Sequence, residues 1–239
     1  MMIPDVTGMV FRRSALRVLE PALPRGAVAP VWARTRALQT ELRKTRPRHS
    51  LGVNLVLRLF EWDRALYGAL LESGVPAEDA GRMIGEINWM ILGPSTALNF
   101  ALSRLRGGDL RARVQSVVDL LFAVVFTAPF RRVVHPAKDE VAFDVTRCPL
   151  AEYFAAQGTP ELTRHAACSL DYRMAEQWGV TLQRTGTIAQ GHPACDFRFV
   201  VHPRALPTLP PVPGTPGPLR STVRDLPVPG PAPRAPYGR

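Results

Sequence analysis

Cysteine is scarce in this chain: three residues in 239. An odd number cannot complete a disulfide framework. The opening Met1-Met2-Ile3-Pro4-Asp5 lacks the charged and then apolar segments of a secretion signal. Both features predict a reducing, cytoplasmic setting with free or metal-bound thiols. Long apolar runs are also missing. The longest, Leu120–Phe130, covers about eleven residues and contains Pro129, whereas a spanning helix needs roughly twenty. It therefore reads as a buried core helix, and no membrane span is expected. There is no glycine-rich phosphate loop, no serine elbow and no His-Glu-x-x-His, and Gly107-Gly108 is too short to bind phosphate. No internal repeat is visible.

The net charge of +10 is unevenly placed. Up to Ser50 there are ten Lys/Arg and three Asp/Glu; from Leu51 to Val201, fifteen and sixteen; from His202 onward, five and one. A nucleic-acid binder carries a basic stripe on its folded surface, but here the middle is nearly neutral. We therefore expect no specific nucleic-acid partner. The flanks read as solvated, weakly ordered segments or as sites of loose contact with an acidic partner or anionic lipid.

The pattern predicts an α+β fold: a basic, partly helical flank over 1–50, one globular domain over 51–201, and a tail over 202–239. Val31–Arg46 is a helical candidate. Leu51, Leu55, Leu59, Trp62, Leu66 and Leu70 recur at helical spacing, with Gly74 as a stop. Pro76-Ala77-Glu78-Asp79 opens a helix expected to end near Gly93-Pro94. Shorter helices follow over Ser95–Arg106 and Asp109–Phe126. After Pro136 the texture changes to a small α/β unit with an antiparallel sheet. Val141, Phe143 and Val145 alternate as in a strand. Cys148-Pro149 starts a short helix ending at Gly158. Thr159-Pro160-Glu161 starts another, running to Trp178 and Gly179. Val180–Ile188 and Cys195–Val201 read as paired strands around Gln190-Gly191-His192-Pro193. The tail holds twelve of the chain's 24 prolines and is expected to be disordered.

All three cysteines fall in this unit. Cys148 sits at a strand-to-helix junction, where the helix N-terminus would lower its thiol pKa. His165, Cys168 and Asp171 follow at three-residue spacing, on one helical face. A hairpin would return Cys195 toward Cys148. The plainer readings are that free cysteines are ordinary core residues, that His165 is a helix-face residue, that Asp171 pairs with Arg173 or Arg147, and that Trp62, Trp89 and Trp178 are core aromatics. With no Cys-x-x-Cys pair, the spacing alone is a poor metal signal.

Taken together, Arg147-Cys148-Pro149, Pro160-Glu161-Leu162, Cys168-x-x-Asp171, Arg184-Thr185-x-Thr187-Ile188-Ala189-x-Gly191 and Cys195-Asp196-Phe197-x-Phe199 resemble the L-2-amino-thiazoline-4-carboxylate hydrolase family over Val141–Phe199. The resemblance implies a hydrolase for a small-molecule substrate, opening a cyclic C–N bond of a thiazoline or amidine carboxylate to give N-carbamoyl-cysteine. Such chemistry needs an activated water or thiolate, a proton donor to the leaving ring nitrogen and a cation for the carboxylate. Cys148, Cys168, Asp171 and Cys195 are the catalytic candidates, with Asp171 as base or ligand and Cys148 as the preferred nucleophile. Arg184 is the candidate carboxylate clamp. Cys148, Cys168 and Cys195 are also the candidate ligands of a divalent metal or iron–sulfur centre. Two other readings stay open: a thiolate metal or iron–sulfur protein, and a ligand-binding module without turnover. Nothing in the sequence specifies the oligomeric state. His165 and His192 carry no role from the resemblance.

Overall fold

The computed structural model describes residues 6–46 and 49–201, so the proline-rich tail expected to be disordered lies outside the described residues. Five helices come first: α1 (Val6–Ala22), α2 (Val28–Lys44), α3 (Leu51–Glu72), α4 (Ala77–Leu102) and α5 (Leu110–Val124). They are followed by β1 (Arg131–His135), β2 (Glu140–Arg147), α6 (Pro149–Ala156), a π-helical turn (Arg164–Cys168), α7 (Ser169–Trp178), β3 (Thr181–Gln183) and β4 (Cys195–Val200). The sheet runs β1-β2-β4-β3 with every pair antiparallel. The fold is the expected α+β arrangement, a helical half before a small antiparallel sheet.

Apolar spacing explains the helical half. Phe11, Ala15 and Leu19 form a buried i, i+4, i+8 stripe on α1, and α2 buries Val31 and Thr35. Trp32 and Trp62 stack with ring centroids 5.5 Å apart, and Phe11 stacks on Trp62 at 5.9 Å. The segment before Ser50 is thus not a weakly ordered flank where α1 and α2 are concerned. Its arginines occupy the faces of helices whose other faces are core. Arg46, at the end of this segment, forms an ion pair with the fully buried carboxylate of Glu61.

Three further expectations are corrected. Helix α4 does not end at Gly93-Pro94 but continues to Leu102. Backbone carbonyls around the proline receive side-chain donors: Ser95 Oγ donates to Leu92 O at 2.7 Å, Thr96 Oγ1 to Gly93 O at 2.9 Å and Gln177 Nε2 to Gly93 O at 3.2 Å. Strand β1 was not expected, because an edge strand with largely exposed residues shows no alternating pattern. The segment opened by Thr159 is also not one continuous α-helix; a π turn precedes α7. It does stop as expected at Gly179, which adopts a left-handed conformation with φ +75°.

Two groups of buried side chains result. One joins α1–α4, α6 and the π turn; the other joins α5, α7 and the sheet. Phe130 and Cys148 pack against both, and a cavity lies along this seam.

Candidate active site

The cavity has a volume of about 530 Å³. Cys148, Cys168, Asp171, Arg184 and Cys195 all line it, so the structure brings together every residue singled out in the sequence for chemistry. Asp171 and Arg184 are the charged residues among those lining it; Thr7, Ser95, Thr96, Asn99 and Thr163 are polar, and most of the rest are apolar.

Local geometry explains the convergence. Register pairs Cys195 with Val145 across β4 and β2, and Cys148 caps α6 just beyond that strand. Cys168 closes the π turn, and Asp171 lies in the first turn of α7. The wider π turn, a feature often found at functional sites, changes which side chains share a face. Cys168 and Asp171 reach the cavity, whereas His165 turns away toward Glu78, 3.4 Å from its carboxylate. The predicted common face of all three is therefore corrected.

Helix α4 is shaped to receive this turn. Its residues Gly81, Gly85 and Asn88 lie at i, i+4 and i+7. A Cβ on Gly81 would lie 2.5 Å from the His165 ring, and one on Gly85 would lie 3.0 Å from the His165 carbonyl. Asn88 Nδ2 donates to the Ala166 carbonyl at 3.0 Å and to Asp63 Oδ2 at 2.7 Å. Asp63 and Asn88 are both buried. Burial pushes the Asp63 carboxyl well above its ordinary value, against the hydrogen bond from Asn88.

Arg184 is the centre of the polar cluster. Its side chain is 2 % exposed. Its Nη1 donates to Asp171 Oδ2 at 2.8 Å and its Nη2 to the Cys168 carbonyl at 3.0 Å. The guanidinium lies 5.0 Å from the Phe197 ring and 4.9 Å from Tyr172. Asp171 thus pairs with Arg184; Arg147 and Arg173 bond instead to Glu152 and Glu86. Nη1 and Nη2 each donate one bond inside the protein and each keep a second N–H; Nε is buried and unpartnered. Thr163 Oγ1, on another lining residue, is likewise buried and unpartnered. Burial raises the Asp171 carboxyl above its ordinary value, and Arg184 offsets part of the rise. The Asp171 side chain is 26 % exposed, so this acid has an open face toward the cavity.

A loop brace accounts for Asp196. Its carboxylate accepts from the Thr185 N–H at 2.9 Å, the Thr185 hydroxyl at 2.7 Å and the Gly186 N–H at 2.9 Å. Partial burial opposes its charge, but these donors hold its pKa down to about 2. The brace fixes the turn that carries Arg184. The sequence showed Asp196 only as a member of a pattern, and no spacing signal marked Asp63 or Asn88.

The thiols differ from expectation. Burial raises Cys148 to about 11, although the N–H groups of Ala151 and Leu150 act the other way. The predicted lowering at a helix N-terminus is overturned, because desolvation outweighs the helix end. Burial raises Cys168 still further, with Asp171 adding to the rise. It also raises Cys195, whose sulfur accepts the Ile188 N–H at 3.2 Å. Among the described residues, no group of three or more His, Cys, Asp or Glu side chains is placed to hold a metal ion.

No helix among the described residues is long and apolar enough to cross a membrane. No curated protein matches the chain. Residues 99–199 match the family model described as L-2-amino-thiazoline-4-carboxylic acid hydrolase, which extends the resemblance carried by Val141–Phe199 back to the last turn of α4.

Proposed function

We propose that the cavity is the active site of a hydrolase acting on a small cyclic amidine carboxylate of the thiazoline type. The observation that carries this reading is the Asp171–Arg184 pair, a carboxylate and a cation facing a mostly apolar cavity within the region that matches the family. Asp171 acts as general base and then general acid. A raised carboxyl pKa moves it toward the operating pH, where proton transfer in both directions is efficient.

Bond counting corrects one expectation. In N-carbamoyl-cysteine the former ring carbon keeps both nitrogens and has lost sulfur. The bond that opens is therefore C–S, not C–N, and the leaving group is a thiolate. As the oxygen of water bonds to the ring carbon, Asp171 takes a proton from that water. The electron pair of the C=N bond moves to the ring nitrogen, to which Asp171 passes that proton. On collapse of the tetrahedral centre, Asp171 takes the second water proton from the hydroxyl as C=O re-forms and C–S breaks, and it delivers this proton to the departing sulfur. Both hydrogens of water are thereby accounted for, one on nitrogen and one on sulfur. Arg184 keeps the Asp171 carboxylate oriented, and its N–H groups not taken by Asp171 and the Cys168 carbonyl are the proposed donors to the substrate carboxylate. The protonated thiols are poor nucleophiles and serve as packing around the acid.

The test is incubation of the full chain with 2-amino-thiazoline-4-carboxylate and a thiol-reactive chromophore. C–S cleavage releases one free thiol per turnover, whereas C–N cleavage releases none. Asp171→Asn is expected to lower turnover by about 10²–10⁴, and Cys148→Ser to leave it within about threefold. Turnover that survives Asp171→Asn but disappears in Cys148→Ser would sink the base assignment and restore the nucleophile.

A further inference from the structure

The cavity is too large for the ring alone. A cavity of about 150 Å³ takes a benzene, which is about 25 Å³ per heavy atom. The nine heavy atoms of 2-amino-thiazoline-4-carboxylate then need about 225 Å³ by the same yardstick, less than half of the 530 Å³ present. The remainder corresponds to roughly twelve more heavy atoms on that scale. Its walls come from α1, α3, α4, α5 and the sheet, with Leu59, Leu92, Val118 and Phe122 typical of them. The apolar lining also reaches the surface. Val6, Val10 and Leu55 line the cavity and are 59 %, 44 % and 59 % exposed, so the opening on the α1 and α3 side is itself apolar. A polar small molecule would leave most of this surface in contact with water. A chain or ring system attached to it would remove that surface from water at about 25 cal/mol per Å².

We propose that the substrate class is an amphipathic carboxylate: a polar head at Asp171 and Arg184, and an apolar chain or ring system of about eight to twelve carbons along the helical walls. The head assignment rests on the hydrolase reading above; the tail assignment rests on the cavity alone. The buried and unpartnered Arg184 Nε and Thr163 Oγ1 are the donors that such a head would satisfy, and the single ion pair leaves no second charged group along the tail.

The experiment is calorimetric titration of the full chain with straight-chain monocarboxylates from acetate to dodecanoate, and with decan-1-ol. Affinity is expected to rise about tenfold for every two added methylenes up to about ten carbons and then level off. Decanoate is expected to bind at least about tenfold tighter than decan-1-ol, the scale of one charged hydrogen-bonded contact. Arg184→Lys, which keeps a cation beside Asp171, should narrow that difference without flattening the chain-length series. A series that is flat from acetate to decanoate overturns the tail. Equal binding of decanoate and decan-1-ol overturns the head. The thiol-release assay, run on 2-amino-thiazoline-4-carboxylate and on its 2-decylamino analogue, reads separately. Turnover with a flat series refutes this inference alone, and a rising series without turnover of either compound refutes the hydrolase reading alone.

Discussion

Three thiols, one buried and two half-buried, and one partly buried ion pair behave in opposite ways at this site. With Cys148 raised to about 11, only about one molecule in a thousand carries its thiolate at pH 8. Iodoacetamide should therefore label the native protein far more slowly than free cysteine, whose pKa is about 8.5. Labelling should accelerate once urea exposes the three sulfurs, as read by mass spectrometry. Rapid single-site labelling at pH 7 would show a thiolate that burial does not permit. Arg184 responds differently. Burial alone would lower its pKa, yet Asp171 and the surrounding groups hold it above the ordinary value, so it is charged throughout. Removing it leaves the carboxylate of Asp171 without its cation, a loss of about 3–5 kcal/mol for a broken buried pair. Arg184→Met should therefore melt much earlier than the double variant Arg184→Met/Asp171→Asn, in which no charge is stranded. Equal melting of the two would mean that the pair is screened by water.

Helix α4 carries the polar contacts that shape the site from behind. Asn88→Ala withdraws a donor from both the Ala166 carbonyl and Asp63, which should lower stability by about 2–6 kcal/mol at about 1–3 per stranded buried group. Urea denaturation measures this loss. At the other end of the helical half, Arg46→Met strands the buried Glu61 and should lower stability by about 3–5 kcal/mol. A change below about 1 kcal/mol, the value of a surface pair, would contradict that burial. Much of the architecture was legible because the periods were strong. The α3 stripe, the Val141-Phe143-Val145 alternation and the Gly179 stop are local signals. The gathering of Cys148, Cys168, Asp171, Arg184 and Cys195 was legible through the order of a family pattern. What was not legible depends on tertiary surroundings. Thiol pKa follows burial rather than helix position. The partner of Asp171 proved to be Arg184, thirteen residues away, rather than Arg173 or Arg147. The π turn shifts His165 off the shared face by altering the turn itself, and no residue type announces that. Pro94 looked like a stop because a proline normally is one; Ser95 and Thr96 bond back three residues along the helix, and the third donor, Gln177, comes from a distant helix.

Across the molecule, carboxyl groups are shifted in opposing directions, and this sets how stability depends on pH. Asp196 is held down to about 2 by its donors, and Asp144 is lowered by His135 and Arg198 against the effect of burial. Groups of this kind contribute stability above the ordinary carboxyl value of about 3.9, and that contribution disappears as pH falls through their folded values. For Asp196 the gap corresponds to about 2 kcal/mol at neutral pH, lost between about pH 4 and pH 2. Asp63 and Asp171 are raised by burial and have the reverse sign. The folded state binds their protons more tightly than the unfolded chain does. Their contribution is therefore complete below about pH 3.9 and is lost as pH rises toward their folded values. The sum predicts a stability maximum on the acid side of neutrality, falling on both sides, in urea midpoints measured from pH 2 to pH 8. Asp63→Asn separates the two limbs. The amide keeps an acceptor for Asn88 Nδ2 and adds a donor beside Asn88 Oδ1, which is buried and unpartnered. It also removes the cost of ionising a buried acid. This variant should be more stable than the parent at pH 7 and equal to it near pH 4, with a flatter descent between. Asp196→Asn should instead lose stability at pH 7 and flatten the acid limb. If Asp63→Asn destabilises the protein at pH 7 as much as Asp63→Ala does, Asp63 is ionised in the fold and its proton plays no part in holding α3 to α4.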